Sequence, residues 1–187
     1  KAQEMGHGVP KPSGTVYLTA ADQNGMMVSY IQSNYLGFGS GIVVPGTGIS
    51  LQNRAFGFNL EEGHPNQVGG AKRPFHTIIP AFLMKNSQPE MSFGMMAGPM
   101  QAQGHVQLML RMFVYGQNPQ TAADGPRWQV LEGRNVAIEE DFAADVLNQL
   151  AARGHQLHRK PRQPFFGGAQ LIYRMKDGYC GASEPRK

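Results

Sequence analysis

A segment rich in small residues and proline ends in Ser13-Gly14 and runs directly into a strand-forming stretch that begins with Thr15. Cutting the Gly14–Thr15 bond would make Thr15 an N-terminal residue. Its α-amine could then act as general base for its own hydroxyl, the threonine form of an activated nucleophile. Glycine before the bond suits the strained backbone that self-cleavage needs. A Gly-Thr step also arises by chance, so the dipeptide alone selects no chemistry.

Other chemistry-bearing patterns are weaker. Gly37–Gly41 reads G-F-G-S-G, which lacks both the G-x-G-x-x-G spacing and the phosphate-loop lysine, so its glycines read as tight turns. His7, His64, His76, His105, His155 and His158 are scattered without H-E-x-x-H. His155 and His158 sit in a strand-like stretch where three-residue spacing turns side chains to opposite faces. No metal and no cofactor is expected. A Ser-His-Asp set is assembled in space and leaves no spacing signature, but the G-x-S-x-G elbow is absent. The basic run 153–162 has no interleaved aromatics and reads as a solvated turn or a subunit contact, so no nucleic-acid partner is expected. The Met-rich stretches 94–100 and 109–112 and Trp128 read as core or interface.

The elements that must position these residues are strands, then helices, then strands. Thr15–Ala21 and 26–34 form a hairpin around the turn Asp22-Gln23-Asn24-Gly25. A glycine-rich loop, 37–48, follows. Strands 79–85 and 91–96 flank a turn at Asn86-Ser87-Gln88-Pro89. A helix over 101–115 carries Val106, Met109, Leu110 and Phe113 at helical spacing. Asn118-Pro119 predicts an N-cap with proline in the first turn. A second long helix is expected over 140–153, stopped by Gly154. Short strands follow near Gln156, over 170–175 and over 179–182. The class is mixed α+β, with helices on a mostly antiparallel sheet.

With 187 residues, the chain is one domain by length, and its single Cys180 excludes an internal disulfide framework. Charged residues make up 16% against an average of about 25%, which excludes a charge-rich disordered chain and hints that some surface is covered by something else. No apolar run approaches the ~18 residues of a membrane span, so none is expected. Lys1–Gly14 has no apolar signal-peptide core and reads as an extended linker. With no initiator Met, the chain is expected to be a piece of a longer translation product.

The stretches TVYLTAADQNGMMVS, FGSGIVVPGTGISLQN and KRPFHTIIP, the turn Gly94–Pro99, then GPRW and GASEPR, occur in that order. From Thr15 to Lys187 the chain resembles the C-terminal small subunit of the γ-glutamyltransferase family, which are N-terminal-nucleophile (Ntn) hydrolases. The resemblance implies the small-subunit half of a four-layer αββα sandwich, completed by a large subunit cut from the same precursor. It assigns residues 1–14 to the large subunit's tail and 15–187 to the catalytic small subunit, with self-cleavage at Gly14–Thr15 and Thr15 as nucleophile.

The resemblance also places the remaining site. Ser33 stands where the family has a second threonine bonded to the nucleophile. Ala97-Gly98 stands where a Gly-Gly pair donates two N–H groups to the oxyanion. A negative φ at Ala97 would make the replacement free, and a positive φ would strain it. Tyr35, Arg54 and Gly57 replace the Asn, Gln and Asp that hold a glutamyl α-amine. Acceptors for an ammonium are thereby lost and a cation is introduced. His76-Thr77 replaces two serines that bind the α-carboxylate. The pocket therefore suits a small carboxylate-bearing amide, such as oxamate, with γ-glutamyl transfer or glutathione hydrolysis as the alternative and a non-catalytic homologue as the second. Expected partners are the large subunit, a small-molecule amide and, at the level of assembly, a second heterodimer. A catabolic hydrolase is expected in the cytoplasm, and a true transpeptidase in the periplasm or outside the cell.

Overall fold

The computed structural model describes residues 14–77, 79–162 and 164–186. Apart from Gly14, the expected tail lies outside this range. Where length predicts one domain, the chain divides into two compact units. Among the described residues, the first takes in Gly14, Thr15 and 33–76, and the second 16–32 and those from Thr77 to Arg186.

In chain order the strands are β1 (Thr15–Ala21), β2 (Met27–Ser33), β3 (Ala81–Lys85), β4 (Gln88–Met95), β5 (Trp128–Glu132), β6 (Asn135–Glu139), β7 (Gln156–Lys160), β8 (Ala169–Met175) and β9 (Gly178–Ser183). The helices are α1 (Met100–Phe113), α2 (Pro119–Asp124) and α3 (Ala144–Ala152). The α+β expectation holds, and β6–β7 is a parallel pair among antiparallel ones.

β1 and β2 pair around the expected turn. Asp22 Oδ1 accepts the N–H groups of Asn24 and Met26, both at 2.9 Å, and Gly25 supplies the left-handed φ of 89°. The second unit's larger sheet runs β3-β4-β8-β9. Its first turn is tighter than expected. Asn86 and Ser87 both take positive φ, the two-residue hairpin geometry, and Gln88 and Pro89 already belong to β4. Pro89 lies where the β3–β4 register shifts, a place that tolerates its missing N–H. Met91, Phe93, Met95, Leu108, Met112, Ala122, Ala123, Ala169, Leu171 and Ala182 make the core between this sheet, α1 and α2.

α1 does not bury the stripe its apolar spacing suggests. Val106, Leu110 and Phe113 are exposed, while Met100, Gln101, Gly104, Gln107, Leu108 and Met112 face inward. Two glutamines explain the rotation. Gln107 accepts the Trp128 N–H at 3.1 Å and donates to the Trp128 carbonyl at 2.8 Å, and Gln103 does the same for Val130 at 2.8 and 3.1 Å. These amides act as a surrogate strand along β5, so polar residues belong on the packed side. Gly104 lets Met95 close on the helix, since a Cβ there would meet its sulfur.

The smaller sheet, β5-β6-β7, uses α3 as its crossover. α3 is shorter than the expected 140–153, and none of its residues is buried. Gly154, at φ 87°, follows its end as predicted. α2 is capped by Asn118, whose side chain accepts the Thr121 N–H at 2.9 Å, with Pro119 first in the helix.

A buried ionic cluster joins the two sheets. Arg186 makes a fork with Glu139 (Nε–Oε1 2.7 Å, Nη2–Oε2 2.5 Å) and reaches Glu184 at 3.2 Å. Arg127 pairs with Glu184 and donates to the carbonyls of Ala123, Phe166 and Gly167. Two cations and two anions cancel, and backbone groups fill the remaining bonds, which is the condition for burying charge. GPRW and GASEPR thus hold the ends of β5 and β9 together.

The first unit is built mainly of turns. Its backbone bonds include Ser40 N–H to Leu51 O at 2.8 Å and Val44 N–H to Ile49 O at 2.9 Å, and a single 3-10 turn spans Arg54–Gly57.

Candidate active site

Thr15 begins β1 and Ser33 ends β2, so hairpin register sets their hydroxyls side by side: Thr15 Oγ1 and Ser33 Oγ are 2.8 Å apart. Ser33 Oγ also accepts the Tyr35 N–H at 2.9 Å. Its own proton is then available to Thr15 Oγ1. The pair predicted as nucleophile and hydroxyl partner is brought together in the first unit.

The chain then turns sharply. Tyr35 has φ 77°, unusual for a bulky residue and an expense of order 1–3 kcal/mol. Leu36 to Gly39 closes a β-turn, with Gly39 N–H donating to Leu36 O at 2.8 Å and Gly37 at φ 50°. Asn53 pins this turn: its Oδ1 accepts the Leu36 N–H at 3.1 Å and its N–H donates to Asn34 O at 3.2 Å.

Arg54 lies at the root of the same arrangement. Its guanidinium carbon sits 5.2 Å from the centre of the Tyr35 ring, and its Nε donates to Gln52 Oε1 at 3.1 Å. Arg54 is buried, and burial pulls its pKa below the ordinary arginine value, with Tyr35 opposing. It remains a cation, held by an aromatic face in a partly desolvated setting. Tyr35 and Arg54 are therefore one stacked pair, with Phe56 6.4 Å from the tyrosine ring. Gly57 lies against Pro74 and Phe75, where a Cβ would make ordinary contact.

His76, exposed, closes the first unit, and Thr77, half-buried, belongs to the second. Ala97 and Gly98 form the turn between β4 and α1 in the second unit, and their conformation corrects one condition set by the sequence. Ala97 has φ 104° and Gly98 φ 51°. The turn keeps a geometry natural to two glycines, and Ala97 is strained within it. The Ala97 and Gly98 carbonyls accept the Met100 and Gln101 N–H groups at 3.1 and 3.0 Å, while neither turn N–H finds a backbone acceptor among the described residues. Both stand ahead of the positive end of a 14-residue helix.

Gly14 also has a packing requirement. Its φ is not in the left-handed region. Glycine is needed because a Cβ would stand 2.7 Å from the Gly37 carbonyl oxygen. Sequence reading missed Asn53 and Gly37. The signal for Gly37 was present in G-F-G-S-G, and nothing local marks Asn53. Among the described residues, no cluster of three His, Cys, Asp or Glu side chains is placed to hold a metal, and no helix is long and apolar enough to cross a membrane.

Cephalosporin acylase from Bacillus halodurans superposes with a TM-score of 0.85 at 49% identity, over 91% of this chain and 32% of that one. The α+β fold is thus that of the Ntn hydrolases. A family model described as Gamma-glutamyltranspeptidase matches residues 1–187, and the chain belongs to that family. It is 35% identical over 186 residues to the glutathione hydrolase-like YwrD proenzyme of Bacillus subtilis (strain 168), covering 95% of this chain and 35% of the relative. It is also 35% identical over 184 residues to the oxamate amidohydrolase proenzyme of Klebsiella pneumoniae, covering 94% and 34%. The chain spans about a third of the length of these relatives.

Proposed function

We propose that this chain is the nucleophile-bearing part of a self-processing threonine amidohydrolase acting on a small, carboxylate-bearing amide of the oxamate type. The observation that carries the reading is the 2.8 Å contact between Thr15 Oγ1 and Ser33 Oγ at the start of the strand that cleavage would expose. Thr15 Oγ attacks the amide carbonyl. The freed α-amine takes its proton and hands it to the leaving amine. Ser33 donates to Thr15 Oγ1 and disperses charge on the attacking oxygen. The family resemblance assigns the oxyanion's N–H donors to Ala97 and Gly98, and water releases the acyl group. Losing one such donor typically reduces the rate by ~10²–10³.

The substrate follows from charge. A glutamyl donor carries an α-ammonium, which the Arg54 cation beside Tyr35 disfavours. A carboxylate suits Arg54, His76 and Thr77. The 35% identity to an oxamate amidohydrolase proenzyme supports this choice. The second reading is glutathione hydrolysis, supported by the equal 35% identity to the glutathione hydrolase-like YwrD proenzyme of Bacillus subtilis. The complete processed protein is expected to release ammonia from oxamate in preference to p-nitroaniline from a γ-glutamyl anilide. Preference for the anilide overturns the substrate choice in favour of the second reading. Thr15→Ala is expected to abolish both precursor cleavage and turnover, by at least ~10³-fold. Intact-mass measurement of the fragments checks the cleavage directly.

A further inference from the structure

One turn touches both sides of the bond that the proposed function requires to break. On the nucleophile side, Ser33 Oγ meets Thr15 Oγ1 at 2.8 Å, and the same oxygen accepts the Tyr35 N–H. On the acyl side, the Gly37 backbone packs on Gly14 so closely that a Cβ at position 14 would lie 2.7 Å from the Gly37 oxygen and 3.4 Å from its nitrogen. Real Cβ atoms do not approach a backbone oxygen that closely, and a backbone atom yields less readily than a side-chain tip. The turn is itself fixed, by Gly39 N–H to Leu36 O and by both Asn53 bonds. Two positive-φ residues, Tyr35 and Gly37, set its direction.

We propose that the Ser33–Gly39 turn is the jig for self-cleavage, with Gly37 a positioning residue whose carbonyl fills the space a side chain at position 14 would need and so admits only glycine there. The inference rests on Thr15 cutting the Gly14–Thr15 bond. In that step Thr15 Oγ bonds to the Gly14 carbonyl carbon, the Gly14–Thr15 C–N bond breaks, and the hydroxyl proton ends on the departing nitrogen, which becomes the Thr15 α-amine. Water then adds to the ester. Its oxygen stays with the Gly14 carboxylate, and a proton returns to Thr15 Oγ. The attack is intramolecular, so its rate depends on alignment, and a displacement of about 1 Å reduces such a rate by about 10²-fold. Gly14 has no further part once the bond is broken. The Gly14–Gly37 approach thus serves maturation alone, while Ser33 serves both maturation and turnover.

The test is a cleavage time course on the complete precursor, read by intact mass. Wild type is expected to yield a fragment beginning at Thr15. If it does not, the reading of Thr15 as self-cleaving nucleophile falls, and the jig with it. If wild type cleaves there and Gly14→Ala cleaves about 10²-fold more slowly with an unchanged unfolding temperature, the jig stands. Equal rates for the two overturn the jig alone. Where Gly14→Ala does not accumulate folded, a pair at Gly37 decides. Gly37→Val resists positive φ and is expected to slow cleavage, whereas Gly37→Asn, a residue that tolerates φ near 50°, is expected to restore it. Equal cleavage by the two Gly37 variants overturns the proposal. A coexpressed pair of fragments, one ending at position 14 and one starting at Thr15, supplies the remaining control. In that pair Gly14→Ala is expected to leave amide turnover unchanged, and a parallel loss of turnover contradicts the separation of roles.

Discussion

The second unit encloses an apolar core, and the first, among its described residues, buries no apolar side chain. Met91, Met95, Leu108 and Leu171 are essentially sealed in the second unit. In the first, Arg54 is the one buried residue among those described, while Phe38 and Leu60 are each 84% exposed and Phe56, Phe75, Ile42 and Val43 are also open. Yet the first unit holds Thr15, Ser33, Tyr35 and Arg54. A unit without its own core cannot offset the entropy of ordering its chain by burial alone. Apolar surface of this extent is what a partner covers, and the relatives are about three times as long as this chain. We propose that a further polypeptide segment, of the kind the longer relatives carry, supplies that cover. The lesson is a division of labour in which one unit folds around a core and the other, on the proposed function, carries the nucleophile on turns without a core of its own.

The largest effect that sharpens the contrast comes from the second unit's ionic cluster. Glu184→Ala leaves Arg127 and Arg186 short of a buried anion and should destabilise the complete protein by about 3–5 kcal/mol, read from denaturant midpoints. A loss below 1 kcal/mol would mean that water reaches the cluster and that this interior is less closed than its burial indicates.

Next in size is a pH effect from His105. Burial lowers its pKa from 6.5 to about 4, Phe93 lies 4.9 Å from its ring, and its Nε2 finds no hydrogen-bond partner among the described residues. The unfolded imidazole binds a proton near pH 6.5 and the folded one only near 4. Stability present above pH 6.5 is therefore lost as pH falls toward 4, by about 3 kcal/mol. His105→Phe should flatten that part of the profile relative to wild type, and identical slopes for the two proteins would refute the assignment.

The smallest effect probes the first unit. As a free surface residue, Phe38 would tolerate Phe38→Ser within about 0.5 kcal/mol. Covered in the complete protein, it should cost about 2 kcal/mol. A calorimetric value at the lower figure would break the contrast drawn here.

What the sequence made legible was local. Asp22–Gly25 writes its own turn, Asn118-Pro119 its own cap, and Gly154 its own stop, because each acts within a few residues. The pairing of the Thr15 and Ser33 hydroxyls was legible only through the family resemblance, and the hairpin they bracket supplies its geometry. The inward face of α1 was not legible, because its polar residues Gln103 and Gln107 are spent on a strand more than twenty residues away. The four charges of the ionic cluster are likewise spread from Arg127 to Arg186 and meet only when both sheets are assembled. The strain at Ala97 depends on a φ that composition does not record.

The sulfur-rich interior has a consequence of its own. Met91, Met95 and Met100 are almost wholly shielded from solvent. A thioether is easily oxidised to a polar sulfoxide, which such a core could not hold. Peroxide reaches these atoms only when the second unit opens, so their oxidation keeps a chemical record of openings. A molecule oxidised once could not close properly again, and damage would spread from a single event to the neighbouring sulfurs.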